Sequence, residues 1–188
     1  MANKTTVALT REQYKEIIEA IQQGFSGQKP NDRVATVLML EANLGIRIGD
    51  ILALRPCDII RDGYRYRLDI TEQKSGKKRR FTVPVILYQF IENYCYRNGI
   101  GRRDRIFPIT VRNVQMILQH TCDWLGYEGI STHSFRKYYA TEIYKNNDYN
   151  IALVQHLLQH SSAATTQRYI GIEPKEVEEA ILGHLELL

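Results

Sequence analysis

The stretch His160-Ser161-Ser162-Ala163-Ala164-Thr165-Thr166-Gln167-Arg168-Tyr169 governs how the rest of the chain is read. A histidine opens it, a tyrosine closes it, and small or hydroxylic residues fill the space between. On one straight helix this span makes about two and a half turns, so His160 and Tyr169 would face opposite ways. They can serve one site only if the chain bends, and Ser161-Ser162 suits the cap of a new helix. The expectation is that Tyr169 is a nucleophile and that the upstream chain positions a phosphate beside it.

The chain has 188 residues, enough for one domain with a sizeable core. Its composition is that of an ordinary soluble globular protein. The five prolines fall at apparent element boundaries, and no repeat or low-complexity tract is seen. Met1-Ala2-Asn3-Lys4 leads into polar sequence, which does not read as a signal peptide. No apolar run approaches the roughly 18 residues of a membrane span. Cys57, Cys95 and Cys122 are odd in number and far apart, so neither a disulfide framework nor a cysteine zinc site is expected, and a reducing cytosol is the natural home. The formal charge is +4, unevenly spread. Residues 173–188 hold five glutamates against one lysine, whereas Arg61–Arg80 holds eight basic residues against three acidic ones. A basic body points to a polyanionic partner, nucleic acid first, although a solvated face reads the same way.

Working outward, Thr10 and Gln13 make a capping box before Tyr14, Ile17, Ile18 and Ile21, and that helix should end near Gly24. Asn31 caps a second helix that stops at Leu44-Gly45. A short third runs from Ile48 to Leu54, closed by Arg55-Pro56. Period-two alternation over Tyr64–Ile70 and Arg80–Val83 predicts a small antiparallel sheet within 59–83, with a basic tip at Lys74-Ser75-Gly76-Lys77-Lys78. Helices follow over Val85–Arg97, Thr110–Leu125, Thr132–Lys145 and Asn150–Gln159, then a short one through Tyr169 and a last one from Pro174. The fold class is mainly α with one small antiparallel sheet (α+β).

Arg47 sits in an apolar, glycine-containing setting where a helix begins, and its guanidinium costs desolvation there unless it meets an anion. Asp50, three residues on, can hold it in a bidentate pair, which is also the purely structural reading. His133 and Arg136 share a helical face, an imidazole for proton exchange beside a fork for phosphate oxygens. A helix-capping histidine with a surface arginine is the rival account. Lys74 on the turn can donate a proton or sit as a point charge on a phosphate. Lys77, Lys78, Arg79 and Arg80 read as DNA-backbone contacts or plain surface. His156 and His160 are spaced for a metal but lack a third ligand, so none is expected. Tyr139, on the face of Arg136, rivals Tyr169 as nucleophile, but its neighbours look like core.

Taken in this order, these residues resemble the catalytic domain of the tyrosine recombinases, the phage-integrase family. Leu44-Gly45-Ile46-Arg47-Ile48-Gly49-Asp50 is similar to the family's first arginine motif, with Asp50 where glutamate is more usual. Lys74-Ser75-Gly76 looks like the hairpin lysine, and His133-Ser134-Phe135-Arg136 matches the His-x-x-Arg motif. Leu158-Gln159-His160-Ser161-Ser162 resembles Leu-Gly-His-Ser-Ser, with Gln159 replacing glycine. Thr165-Thr166-Gln167-Arg168-Tyr169 ends on the nucleophile.

The resemblance implies catalytic roles for Arg47, Lys74, His133, Arg136, His160 and Tyr169, with Asp50 orienting Arg47 or His133 from behind. It implies DNA cleavage through a 3′-phosphotyrosyl link and rejoining, with neither metal nor other cofactor. Double-stranded DNA is the implied partner, with a homotetramer on synapsed sites, a monomer without DNA and accessory directionality proteins. The implied place is the cytoplasm, at the nucleoid of a bacterium or of a phage host. The family's N-terminal clamp domain is not seen, so residues 1–188 read as a single catalytic domain, excised or naturally short. Residues 173–188 read as a tail helix that docks in cis or in trans. Two alternatives stay open: relaxation of the type IB topoisomerase kind, and a DNA-binding regulator without catalysis.

Overall fold

The structure is a computed structural model in which residues 6–171 are described. The expected tail helix from Pro174 lies outside these residues. Helix α1 (Arg11–Gln23) opens with the Thr10/Gln13 capping box and buries Ile17, Ile18, Ala20 and Ile21. Helix α2 (Asp32–Leu44) starts at Asn31, whose Oδ1 accepts the Val34 amide at 3.0 Å. It is apolar nearly all round, as a helix surrounded by others must be, and Val34, Ala35, Val37, Leu38, Leu40 and Leu44 are all buried.

Gly45 ends α2 in the left-handed conformation at φ 59°. A Cβ added there would lie 2.2 Å from the Tyr139 ring, so glycine is required both by backbone angle and by space. The chain thereby turns sharply into α3 (Ile48–Ala53), with Arg47 at its N-cap. A short 3₁₀ turn (Pro56–Asp58) leads to strands β1 (Ile59–Asp62), β2 (Arg65–Thr71) and β3 (Lys78–Val83), antiparallel in the order β1-β2-β3. Register pairs Leu68 with Ile59 on one side and Phe81 on the other, so the buried face of the sheet joins the core.

Helices α4 (Val85–Arg97), α5 (Val111–Leu125) and α6 (Thr132–Lys145) complete the main layer, with α6 packed on α2. Helix α7 (Ile151–Leu158) is followed by a bend and then α8 (Ala163–Ile170), whose N-cap Ser162 accepts the Thr165 amide. This is the bend that the His160–Tyr169 spacing demands. Ala140, Val154, Leu158 and Ile170 form a second, smaller core that fixes α7 and α8 against α6. Among the described residues no helix is long and apolar enough to cross a membrane.

Candidate active site

Four elements bring the candidate residues together: the α2–α3 turn, the β2–β3 hairpin, the start of α6 and the α7–α8 bend. The rings of His133 and His160 flank Tyr169 edge-on, with centroids at 5.1 and 5.0 Å. The Tyr169 hydroxyl is buried and hydrogen-bonds to nothing among the described residues. Lys137 Nζ lies 5.5 Å from the centre of the same ring and donates to the Thr6 carbonyl at 2.5 Å.

Arg136 is 1% exposed, the largest fully buried side chain in the described chain. Its Nη2 donates to the Leu158 carbonyl at the end of α7 at 3.3 Å, while Nε and Nη1 have no partner. A buried guanidinium with idle donors is costly unless an anion arrives. His160 Nδ1 lies 3.1 Å from Thr166 Oγ1, which ties the bend to α8. Gln159 adopts the left-handed conformation at φ 55°, the backbone a glycine would supply, and its Nε2 donates to the Lys78 carbonyl at 3.0 Å.

Asp50 does not pair with Arg47, contrary to the sequence expectation. Its Oδ1 accepts the Gln73 amide at 2.9 Å, so it fastens the hairpin loop that carries Lys74. Arg47 instead meets Glu72 Oε2 at 2.5 Å, and the Ser75 hydroxyl donates to the same oxygen at 2.6 Å. The physical reason is reach: Asp50 sits inside the first turn of α3 and points at the hairpin, whereas the longer Glu72 projects back to the N-cap. Lys74 is exposed on the turn and makes no hydrogen bond or ion pair among the described residues.

Lys77, Lys78 and Arg80 are exposed, and Arg80 Nε pairs with Asp69 at 2.9 Å. Arg79 requires a correction as a surface DNA contact, because only 3% of it is exposed. Period-two alternation puts it on the face of Phe81 and Val83, turned toward the core. Its guanidinium stacks 5.3 Å from the Phe81 ring centre and pairs with Glu72 at 3.6 Å. Glu72 is absent from the sequence reading of the site, and Arg79 enters that reading only as a surface cation. The signal for Arg79 is its i, i+2, i+4 spacing with Phe81 and Val83; Glu72 is visible only as an acid two residues before the basic tip.

Burial raises the Tyr169 hydroxyl pKa, opposed by the Arg136 charge. Partial desolvation and the charges of Arg136, Lys137 and Arg47 lower His133 to about 4, although the residue as a whole is exposed. At neutral pH His133 is therefore an uncharged imidazole beside a protonated phenol, the pairing that a proton acceptor and its donor need. Burial and the charges of Arg136, Arg47 and Arg79 lower His160 as well.

Beneath Arg136 lies Glu41, fully buried on α2 with neither carboxyl oxygen hydrogen-bonded from a side chain. Burial raises it well above the carboxylate range, against the pull of Arg136 and the Ile48 amide. The folded chain thus holds this proton where the unfolded chain has lost it, and stability falls as pH rises above the ordinary value of 4.5. His133 acts in the opposite sense: its folded value lies below 6.5, so its contribution is lost as pH falls from 6.5 through about 4. Glu41→Gln should leave stability at pH 5 nearly unchanged and raise it at pH 8 by roughly 1 kcal/mol or more. Urea melts at the two pH values check this; an equal change at both would show that the proton is not held.

Fold and cluster together define a catalytic domain of the tyrosine-recombinase kind. The sequence profile of the phage integrase family matches residues 8–176, and the chain belongs to that family. It is 31% identical over 150 residues to the probable integrase/recombinase YoeC of Bacillus subtilis, covering 76% of this chain and 80% of YoeC. It is 28% identical over 183 residues to tyrosine recombinase XerA of Pyrococcus furiosus, covering 93% of this chain but 60% of XerA. Among solved structures, the catalytic domain of bacteriophage HP1 integrase superposes with a TM-score of 0.66 at 18% identity, over 94% of each chain. XerH bound to its difH substrate before cleavage gives 0.70 at 20% identity, over 96% of this chain and 55% of XerH. These structures share the fold, and the chain spans little more than half of XerH. Among the described residues no cluster of three or more His, Cys, Asp or Glu side chains could hold a metal ion.

Proposed function

We propose that this chain cleaves and rejoins double-stranded DNA in site-specific recombination. The observation that carries the reading is Tyr169: a buried, unpartnered hydroxyl between two uncharged imidazoles and beside a guanidinium with idle donors. Tyr169 Oη attacks a DNA phosphorus, its proton passes to His133, and the bond to the 5′-oxygen breaks. Lys74 delivers a proton to that oxygen, leaving a 3′-phosphotyrosyl link and a free 5′-hydroxyl. Arg47 and Arg136 hold the non-bridging oxygens and offset the charge of the pentacoordinate transition state. His160 hydrogen-bonds a phosphate oxygen, and Asp50 positions the hairpin. Because the link keeps the bond energy, the 5′-hydroxyl of another strand can reverse the step without ATP.

Lys77, Lys78 and Arg80 serve as backbone contacts along the hairpin. Four copies on two synapsed sites, with accessory proteins setting direction, complete the assembly. Relaxation of the type IB kind shares the chemistry, but the relatives are named integrases and recombinases, which favours strand exchange.

The test is a pool of nicked duplexes with randomised cores, incubated with the protein, denatured, and sequenced from the protein-linked fraction. Covalent recovery of a defined core is the expected result. A pool that yields no protein-linked DNA at any core sinks the enzymatic reading. Non-covalent binding should fall steeply with salt, about tenfold or more between 50 and 200 mM, as counterions return to the phosphates.

A further inference from the structure

The site contains more positive charge than the expected residues supply. Arg79 enters it from β3, and every constraint on that side chain points inward. It is 3% exposed, its strand partner is Ile70, and its own face continues into Phe81 and Val83. Such a position normally takes an apolar residue, and a guanidinium there costs desolvation unless something anionic compensates.

Glu72 compensates only in part. Its single carboxylate is divided between Arg47 at 2.5 Å and Arg79 at 3.6 Å, and Ser75 takes a further hydrogen bond from it. The contact from Arg79 Nε is too long for a hydrogen bond, so neither Arg79 Nε nor Nη1 has a hydrogen-bond partner. Arg136 shows the same pattern, with idle Nε and Nη1. Buried polar groups are nearly always satisfied, so four idle guanidinium nitrogens in one neighbourhood mark a missing acceptor. Arg47, Arg79 and Arg136 feel one another's charge, as does His160. An open groove between β3 and α7, lined by Lys77, Arg79, Arg80, His156 and His160, gives an anion a way in. Burial does not disqualify Arg79 from meeting a phosphate, because Arg136 is buried more deeply still.

We propose that Arg79 is a third guanidinium of the scissile-phosphate site, binding a non-bridging oxygen beside Arg47 and Arg136 and held in place by Glu72. The proposal rests on the reading of this site as one that cleaves a phosphodiester. Arg79 adds a forked donor where charge accumulates, and Glu72 keeps Arg47 and Arg79 from repelling each other apart before the phosphate arrives.

Two measurements test it. The first uses the core recovered from the nicked pool, made once with an ordinary scissile phosphate and once with a neutral methylphosphonate. Arg79→Gln should slow single-turnover cleavage of the phosphate about 100-fold or more. On the methylphosphonate, which needs less positive charge, it should stay within about threefold of wild type. An equal loss on both substrates would assign Arg79 a structural role and overturn the proposal, as would no loss on either. Arg79→Lys, which keeps the charge but not the fork, guards against misfolding and should fall between the two.

The second needs no cleavage: inorganic phosphate is titrated and the melting temperature followed. Phosphate should stabilise the wild type and Arg112→Gln, an exposed position on α5, alike but not Arg79→Gln. Stabilisation that survives Arg79→Gln overturns the proposal. Phosphate binding that depends on Arg79, in a protein that forms no adduct with any DNA, would keep the anion site and reject the recombinase reading.

Discussion

Tyr169→Phe should abolish the covalent protein–DNA adduct, a loss on the order of 10⁴-fold or greater, since a chemical step that needs the missing oxygen has no substitute. The same substitution should leave stability unchanged or raise it by about 1 kcal/mol, because the hydroxyl it removes is buried and unpaired. The ring itself stays packed between His133 and His160. Loss of activity with gain of stability is the signature of a residue held for chemistry. Tyr139→Phe is the matched control. Tyr139 packs in the smaller core and its ring covers Gly45, so it is committed to structure, and its variant should form adduct within about threefold of wild type. Adduct lost in Tyr139→Phe and retained in Tyr169→Phe would reverse the assignment. Denaturing gels and thermal melts of both variants decide it.

Gly45→Ala should be the most destabilising single-methyl change in the α2–α3 turn. Two costs add: a left-handed backbone for a residue with a Cβ, about 1 kcal/mol, and a Cβ 2.2 Å from the Tyr139 ring, which forces repacking at about 1–3 kcal/mol. For a domain of this length each kcal/mol lowers the melting temperature by about 2–4 °C, so a fall of roughly 4–16 °C is expected. Adding Tyr139→Ala removes the clash but not the strained angle. In the Tyr139→Ala background the methyl should therefore cost only about 1 kcal/mol, a coupling that a double-mutant cycle reads directly. Equal costs in both backgrounds would mean that the ring does not pack on Gly45. Because Arg47 follows this turn, its guanidinium should lose register with Glu72 in Gly45→Ala, and catalysis should drop with stability.

The helices were legible because their ends are chemically marked. Thr10, Asn31, Ser162 and Asn150 cap where side-chain oxygens can meet free amides, and Gly24, Gly45 and Gly126 stop them. The motif histidines and arginines were legible because their spacing is local. What escaped was non-local. Asp50 was assigned to Arg47 because they are three residues apart, yet its partner, the Gln73 amide, lies across a hairpin. Glu72 holds Arg47 from 25 residues away, and no periodicity announces that. Arg79 reads as one of a run of surface cations because charge masks the strand alternation, which begins at Lys78, two residues before Arg80. The bend that lets His160 and Tyr169 serve one site is local and legible, but that Tyr169 stands docked between His133 and His160 of its own chain is not.

The bond from Gln159 to the Lys78 carbonyl has a further consequence. It is a joint between the strand that carries Arg79 and the bend that carries His160. A glycine at this position would suit the left-handed angle better, but it has no side-chain amide with which to reach β3. In this chain the hairpin and the bend that leads into the helix of Tyr169 are therefore tied to each other. On the proposed function, nucleic acid that pushes on Lys77 and Lys78 would push through one amide on the setting of Tyr169, so the grip on the backbone and the alignment for attack would form a single mechanical variable.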